Sequence, residues 1–262
     1  MDKDELRRLT KQTGFDLATL EKDYALSWLL SGIYAKESKL RDALIFKGGT
    51  AIRKVYFPEW RLSEDLDFTV TQKIEPQNMK QDFEQVFQLL KESGITYSFS
   101  SFSHRGFAIF AEVKFLGPLG FRNKITLDIS LKEKMVEQPA WVTVKPEYRD
   151  IPEFEIQVYS MNEILVEKIR SIFQRGKARD YYDVWRLVQE DGKFDFSKIK
   201  TLLIKKCEIT GVEFRPDLIF DENRLSEARK FWIIGLAKLT KNLPDFDIMI
   251  SRLRDRLRFL QE

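Results

Sequence analysis

The sequence predicts a mixed α/β (α+β) fold, with strands and helices in its N-terminal part and a helical region behind them. Three observations carry this reading. Short apolar runs, several alternating with period two, occupy much of residues 43–159. Apolar residues recur at helical spacing before them, in residues 1–42, and again from Ser160 onward. Gly and Pro signals sit at the joints between these runs. A chain of 262 residues has room for one or two domains. The change of period places a boundary between residues 1–159 and 160–262.

The elements follow in order. Asp16 is a candidate cap for a helix starting at Leu17, on which Leu20, Tyr24 and Trp28 share a stripe widened by Leu29, Leu30 and Ile33. Residues 43–47 read as a strand stopped by Gly48-Gly49, and 50–56 as a short helix ended before Pro58. Leu66, Phe68 and Val70 alternate with Asp65, Asp67 and Thr69, which predicts a strand with two faces. Residues 79–92 suit a helix with Phe83, Val86, Phe87 and Leu90 on one side. Strands are expected at 95–103, 106–116 and 123–131, separated by turn signals at Arg105-Gly106 and at 117–120, with one more at 154–159. Ser160 and Glu163 read as a capping box for a helix over 160–174. Another helix is expected at 178–190, and a mainly helical stretch from Ser197 on, broken at Pro216 and Pro244. Ile250, Leu253, Leu257 and Leu260 form the seam of the last helix.

Composition narrows the chemistry. Hydrophobic residues make up 43% and charged residues 32%, values of a folded globular chain rather than a disordered one. The single cysteine, Cys207, excludes an intrachain disulfide and points to a reducing compartment. With His104 the one histidine, a zinc site of Cys and His ligands cannot be assembled from this chain. Chemistry is therefore expected from carboxylates, Lys and Arg, with a hard metal such as Mg²⁺. Residues 1–13 are charged and carry no apolar targeting core, and no run approaches the ~20 apolar residues that span a bilayer. A cytoplasmic protein without membrane association is the expectation.

One constellation stands out. Lys47-Gly48-Gly49-Thr50 is followed by Arg61-Leu62-Ser63-Glu64-Asp65-Leu66-Asp67-Phe68. Asp65 and Asp67 lie at i and i+2 on the expected strand, so their carboxylates leave one face with Cα atoms about 6.5–7 Å apart. Two like charges side by side need solvation or a cation, and Mg²⁺ takes one or two carboxylates together with substrate phosphates. A pair of such ions can hold the attacking and leaving oxygens of a phosphoryl displacement. A strand that ends in Gly-Gly and turns into a helix lets backbone N–H groups approach phosphate, with the Thr50 hydroxyl as a further donor.

Other residues join by position. On 123–131, Ile125, Leu127 and Ile129 face one way, and Thr126, Asp128 and Ser130 the other. Asp128 is a candidate to complete the metal site or to act as base for an incoming hydroxyl. Lys168 shares a stripe with Ile164 and Ile172, so it either reaches to solvent or faces a cleft where an anion meets it. Asp180 opens the next helix, where the macrodipole favours an acid. The charge is uneven: residues 1–160 hold 23 basic and 24 acidic residues, and residues 161–262 hold 21 and 17. Six basic residues fall within 168–186, which reads as a solvated helix face or as a phosphate-facing surface.

With these residues the sequence resembles the AbiEii/AbiGii toxin family of the DNA polymerase β-like nucleotidyltransferase superfamily. The pieces that carry the resemblance are Glu21-Lys22-Asp23-Tyr24, KGGTAIRK at 47–54, RLSEDLDF at 61–68, KITLDIS at 124–130 and EILVEKIRSIFQRGKARDYYDVW at 163–185. The resemblance implies a nucleotidyltransferase-type mixed β-sheet flanked by helices, with the helical region contributing to the active-site cleft. It implies transfer of a nucleoside monophosphate from an NTP, with release of pyrophosphate, at a two-Mg²⁺ site. Gly48, Gly49 and Thr50, beside Lys47, match the phosphate-cradling motif, and Ser63 matches a position bordering the NTP phosphates. Asp65 and Asp67 match the metal-binding acids, and Asp128 fits the third. Lys168 matches the lysine that holds the triphosphate, and Asp180 the acid of the last motif. Members act as toxins of toxin–antitoxin or abortive-infection pairs, and some extend tRNA 3′ ends. A tRNA or other RNA acceptor and a cognate antitoxin are thus the expected partners. Transfer to a protein acceptor, a non-catalytic nucleotide- or RNA-binding module, and a metal-dependent nuclease are the alternatives.

Overall fold

Two aspartates start the chain's first helices. Asp2 accepts the Asp4 and Glu5 N–H groups at the head of α1 (Lys3–Thr13), and the Glu5 side chain returns the bond. Asp16 accepts the Thr19 N–H at the head of α2 (Leu17–Ile33), where the sequence places it. Then come β1 (Leu44–Lys47), a helical turn α3 (Gly48–Ala51) continued by a π-turn (Ile52–Tyr56), β2 (Asp65–Val70), α4 (Pro76–Leu89), β3 (Thr96–Arg105), β4 (Ala108–Leu116), β5 (Arg122–Ser130), β6 (Ala140–Val144) and β7 (Phe154–Val158). The helices α5 (Met161–Gln174), α6 (Ala178–Leu187), α7 (Phe196–Thr210), α8 (Glu222–Lys230), α9 (Trp232–Leu236) and α10 (Phe246–Arg256) complete the chain. The structure, a computed structural model, describes residues 1–190 and 192–261.

The chain divides into two compact units. The first comprises Met1–Glu133 and Pro139–Tyr159, and the second comprises Lys134–Gln138 and the residues from Ser160 onward. No helix among the described residues is long and apolar enough to cross a membrane.

The first unit is built on a seven-stranded mixed sheet in the order β3-β4-β5-β2-β1-β7-β6. β2 runs parallel to β5, and β1 parallel to β7, while the remaining neighbours are antiparallel. One face is apolar: Phe46, Leu66, Phe68, Ile109, Val113, Ile125, Leu127 and Ile129 are all fully buried. Against it lie Phe83 and Phe87 of α4, whose rings meet Phe99, and α2, whose Ala25 carbonyl accepts the Tyr97 hydroxyl at 2.7 Å. In β3 a bulge between Phe99 and Ser101 restores inward packing for Phe102, whose ring meets Phe99.

Two sequence expectations need correction, and one strand goes beyond them. The helix expected over 50–56 is a four-residue α-turn that widens into a π-turn. β6 has no counterpart in the sequence reading; it is an edge strand with Trp141 43% exposed, so it lacks the buried alternation that reveals a strand. The capping box at Ser160 forms by half. Ser160 accepts the Glu163 N–H, but the Glu163 carboxylate turns away to accept the Val136 and Glu137 N–H groups and to pair with Lys206 at 2.9 Å. Both partners of that pair are wholly buried, and the Lys206 ammonium also donates to the Lys134 carbonyl. This ion pair fixes the 134–138 strap onto the helical unit.

A second buried charge organises the first unit. Asp23 of α2 accepts from Lys54 at 2.7 Å and from the Tyr148 hydroxyl at 2.7 Å, with the Arg53 guanidinium 3.9 Å away. Arg53 in turn donates to the Pro58 and Trp60 carbonyls, which holds the loop leading to β2. Burial pushes the Asp23 carboxyl up, but the Lys54 and Arg53 charges and the two hydrogen bonds outweigh it and hold the carboxyl below its usual range. A carboxyl held low in the folded state stabilises the protein above the unfolded value of about 3.9, and that contribution is lost as pH falls through the folded value. Asp23→Asn is therefore expected to lower the urea midpoint at pH 7 and to differ less from wild type below about pH 4. A gap that stays constant down to pH 3 would contradict this.

Candidate active site

β1 ends at Lys47, and the chain leaves the sheet at Gly48 with φ of +80°. That left-handed conformation suits glycine. Space demands it as well, since a Cβ built at Gly48 would fall into the Asp67 carboxylate. At Gly49 a Cβ would lie 2.8 Å from Nη2 of Arg61 and 3.4 Å from Oγ of Ser63. The glycine pair is thus walled by an acid on one side and by a buried guanidinium and a hydroxyl on the other. Arg61 is 3% exposed. Thr50 is buried too, and its hydroxyl donates to the Asp65 carbonyl at 2.5 Å. That bond ties the turn to the start of β2.

The strand register sets the acids. Asp65 and Asp67 share one face of β2, opposite the buried Leu66 and Phe68. Parallel pairing places Asp67 level with Asp128, and Asp65 level with Thr126. Antiparallel pairing places Lys47 level with Asp67. All three acids are half-buried. The Lys47 ammonium pairs with Glu133, whose backbone N–H donates to the Ser130 hydroxyl, and the ammonium lies 5.8 Å from the centre of the Tyr159 ring.

Among the described residues, no three His, Cys, Asp or Glu side chains converge as a metal cage. Mg²⁺ does not require one, because it binds through one or two carboxylates plus waters and substrate phosphates. An all-oxygen set with two acids on one strand face and a third level with it on the next strand suits that ion. The glycine turn beside it leaves room that a side chain would fill.

Lys168 and Asp180 belong to the second unit. Lys168 is 12% exposed in its side chain, with its ammonium 2.9 Å from Asp183 and 3.8 Å from Asp180. Asp180, in the first turn of α6, also accepts two bonds from Arg175, at 2.9 and 3.1 Å. The lysine on the apolar stripe is clasped between acids rather than extended to solvent.

The sequence alone assigns no role to Arg61, Glu133 or Asp183. Arg61 lies inside the quoted 61–68 motif, and a charged residue so close to Gly-Gly is the signal that was there to find. Asp183, at i+3 from Asp180, would be found by helical spacing. For Glu133 no local signal exists, since it meets Lys47 across 86 residues. His104 is exposed near the end of β3, and Cys207 is buried in α7 with its thiol pushed up by that burial. Neither joins the acids.

A mixed sheet whose first strand ends in a glycine turn against strand-borne carboxylates has the arrangement of the nucleotidyltransferase class. The chain belongs to the family described as nucleotidyl transferase AbiEii toxin of type IV toxin–antitoxin systems, whose model matches residues 28–252. It is thus a nucleotidyltransferase toxin. Among solved structures it is similar to MenT4, a nucleotidyltransferase toxin from Mycobacterium tuberculosis H37Rv, with 18% identity, a TM-score of 0.70, and coverage of 94% of this chain and 85% of that one. At this identity the likeness carries the fold. No curated protein matches the chain by sequence.

Gly48→Ala should test the turn. The substitution strains a left-handed position by about 1–2 kcal/mol and drives a methyl group into Asp67. Displacing a reacting group by about 1 Å costs on the order of 100-fold in rate, and a loss of that size in nucleotidyl transfer is expected with the fold intact by circular dichroism. Gly94→Ala is the control: its φ is +75° but nothing lies within 4 Å of the added Cβ, so it shares the strain and should keep activity.

Proposed function

We propose that this nucleotidyltransferase transfers a nucleoside monophosphate from an NTP to an RNA acceptor, tRNA foremost, and that a cognate antitoxin in the cytoplasm restrains it. The observation that carries the reading is the register that sets Asp128 level with Asp67, beside the turn at Gly48. The turn's backbone N–H groups and the Arg61 guanidinium favour the triphosphate end of the nucleotide. Ser63 and Lys47 border the same turn. Asp65 and Asp67, with Asp128 beside them, are the residues that would hold divalent metal. Two Mg²⁺ ions bound there would supply charge neutralisation on the phosphates and a common template for the attacking and leaving oxygens.

The chain's own residues then have distinct tasks. Asp128 accepts the proton of the acceptor hydroxyl. The hydroxyl oxygen forms a bond to the α-phosphorus, the bond from that phosphorus to the bridging oxygen breaks, and pyrophosphate leaves with the electron pair. Most of the rate enhancement comes from positioning and charge complementarity. Lys168, matched by family resemblance to the triphosphate lysine, is held in one place by Asp183 and Asp180, the acid of the last motif.

Incubation with labelled NTPs, Mg²⁺ and total tRNA tests the reading. Label should enter RNA, be released by RNase and not by protease, and vanish with EDTA. Asp65→Ala and Asp67→Asn should each lower transfer by about 100- to 1,000-fold, as loss of a group that stabilises transition-state charge does. Undiminished transfer by Asp65→Ala, or label that only protease releases, would overturn it.

A further inference from the structure

The sheet's outer face carries one continuous row of side chains across five strands. Ser103 of β3 is level with Phe110 of β4, Phe110 with Asp128 of β5, Asp128 with Asp67 of β2, and Asp67 with Lys47 of β1. Residues level on adjacent strands project from the same face. The alternation of β4 agrees, because Ile109 and Ala111 on either side of Phe110 are buried and Phe110 is 40% exposed. A residue whose aromatic ring is open to solvent thus occupies the level position on the strand next to the last acid of the row, with neighbouring strands about 4.8 Å apart.

Position in the row gives the ring a meaning. The glycine turn adjoins Lys47 at one end, where the leaving phosphates are favoured. Phe110 lies toward the other end, beyond Asp128. In an in-line displacement the attacking oxygen and the leaving oxygen stand on opposite sides of the phosphorus. The group that carries the attacking hydroxyl is thus directed to the Phe110 end. The neighbourhood there suits a nucleotide. The Ser103 hydroxyl lies alongside, donating to the Phe110 carbonyl at 3.1 Å. At the β3–β4 turn Phe107 is 60% exposed with the Lys132 ammonium 3.7 Å from its ring centre, and Arg105 is exposed next to it. Open aromatic faces set among cations are how proteins hold single-stranded nucleic acid, because every base has a π-face and every linkage a charge.

We propose that Phe110 is the stacking platform for the 3′-terminal base of a single-stranded RNA acceptor, setting its terminal hydroxyl against Asp128, with Phe107, Lys132 and Arg105 receiving the preceding nucleotides. The inference rests on the nucleotidyl-transfer reading and names the acceptor end of that same site. Phe110 is a positioning residue: it holds the nucleotide whose hydroxyl reacts.

The experiment is a cycle on a synthetic RNA hairpin with a single-stranded 3′ tail, ending either in a normal nucleotide or in an abasic one. Phe110→Ala should raise the acceptor KM about 5- to 150-fold, the range for loss of one base–aromatic stack, and leave the KM for NTP unchanged. Phe110→Trp should restore it. The abasic acceptor should cost the wild type a similar factor and cost Phe110→Ala nothing further, since the two changes remove one interaction. Equal acceptor KM values for Phe110→Ala and wild type, or an abasic penalty that persists in full in Phe110→Ala, would overturn the stacking role while leaving nucleotidyl transfer intact. Transfer by the wild type to protein alone would overturn the RNA assignment. A wild type that transfers label to no acceptor would overturn the underlying reading, and the stacking role with it.

Discussion

At Gly48 the backbone passes so close to the Asp67 carboxylate that no side chain fits between them, and the arrangement of the strand ends depends on that approach. Antiparallel pairing brings Lys47 level with Asp67, so the chain must leave the sheet at the next residue. The left-handed turn does this and keeps the acid within reach of the main chain. An acid pressed against backbone would raise the local negative potential. Arg61, buried against the neighbouring Gly49, supplies the opposite charge from the other side. Thr50 then closes the arrangement through its bond to the Asp65 carbonyl. Turn, acid and guanidinium thus crowd closely together, an arrangement that the chain itself sets.

How much of this was legible in the sequence depended on the range of the cause. β2 and β5 are legible from their own alternation, because one face of each is buried and the other is not. Asp16 is legible as a cap because capping is a matter of three residues. The Ser160–Glu163 pair had the same local signature, but Glu163 is recruited by Lys206, 43 residues on, and by the 134–138 strap. A buried charge without a partner costs far more than a capping bond returns, so the distant partner prevails. β6 leaves no such signal because an exposed edge strand is stabilised by its neighbour and not by its own pattern.

The site divided in the same way. Gly-Gly and Asp-x-Asp were visible as spacings. That Asp128 stands beside Asp67 required β2 and β5 to pair in parallel across two intervening strands and a helix, and no local pattern states that. The β3 run carries a faint trace of the register: its aromatics at Tyr97, Phe99 and Phe102 are spaced two and then three, and the extra residue is the bulge. That single residue decides which side chains of β3 join the outer face, and so places Ser103 at the end of the row.

Charge was where counting served least well. Residues 168–186 hold six basic and two acidic side chains, an excess that looks like a surface for phosphate. In the folded unit both of those acids are buried against the segment's own cations: Asp183 and Asp180 flank Lys168, and Arg175 closes on Asp180. A close ion pair presents little net field at a distance, so Lys168 and Arg175 contribute little of the excess, which falls to residues such as Lys177. What the pairing provides instead is fixity. An ammonium on a four-carbon stem has many rotamers, and a phosphate that had to immobilise it would lose that entropy from its binding free energy. Lys168 is already held by its acids, so an anion meeting it bears less of that cost. For phosphoryl chemistry a cation fixed in position outweighs a larger but mobile excess, since stabilising charge works best when nothing must reorganise as it develops.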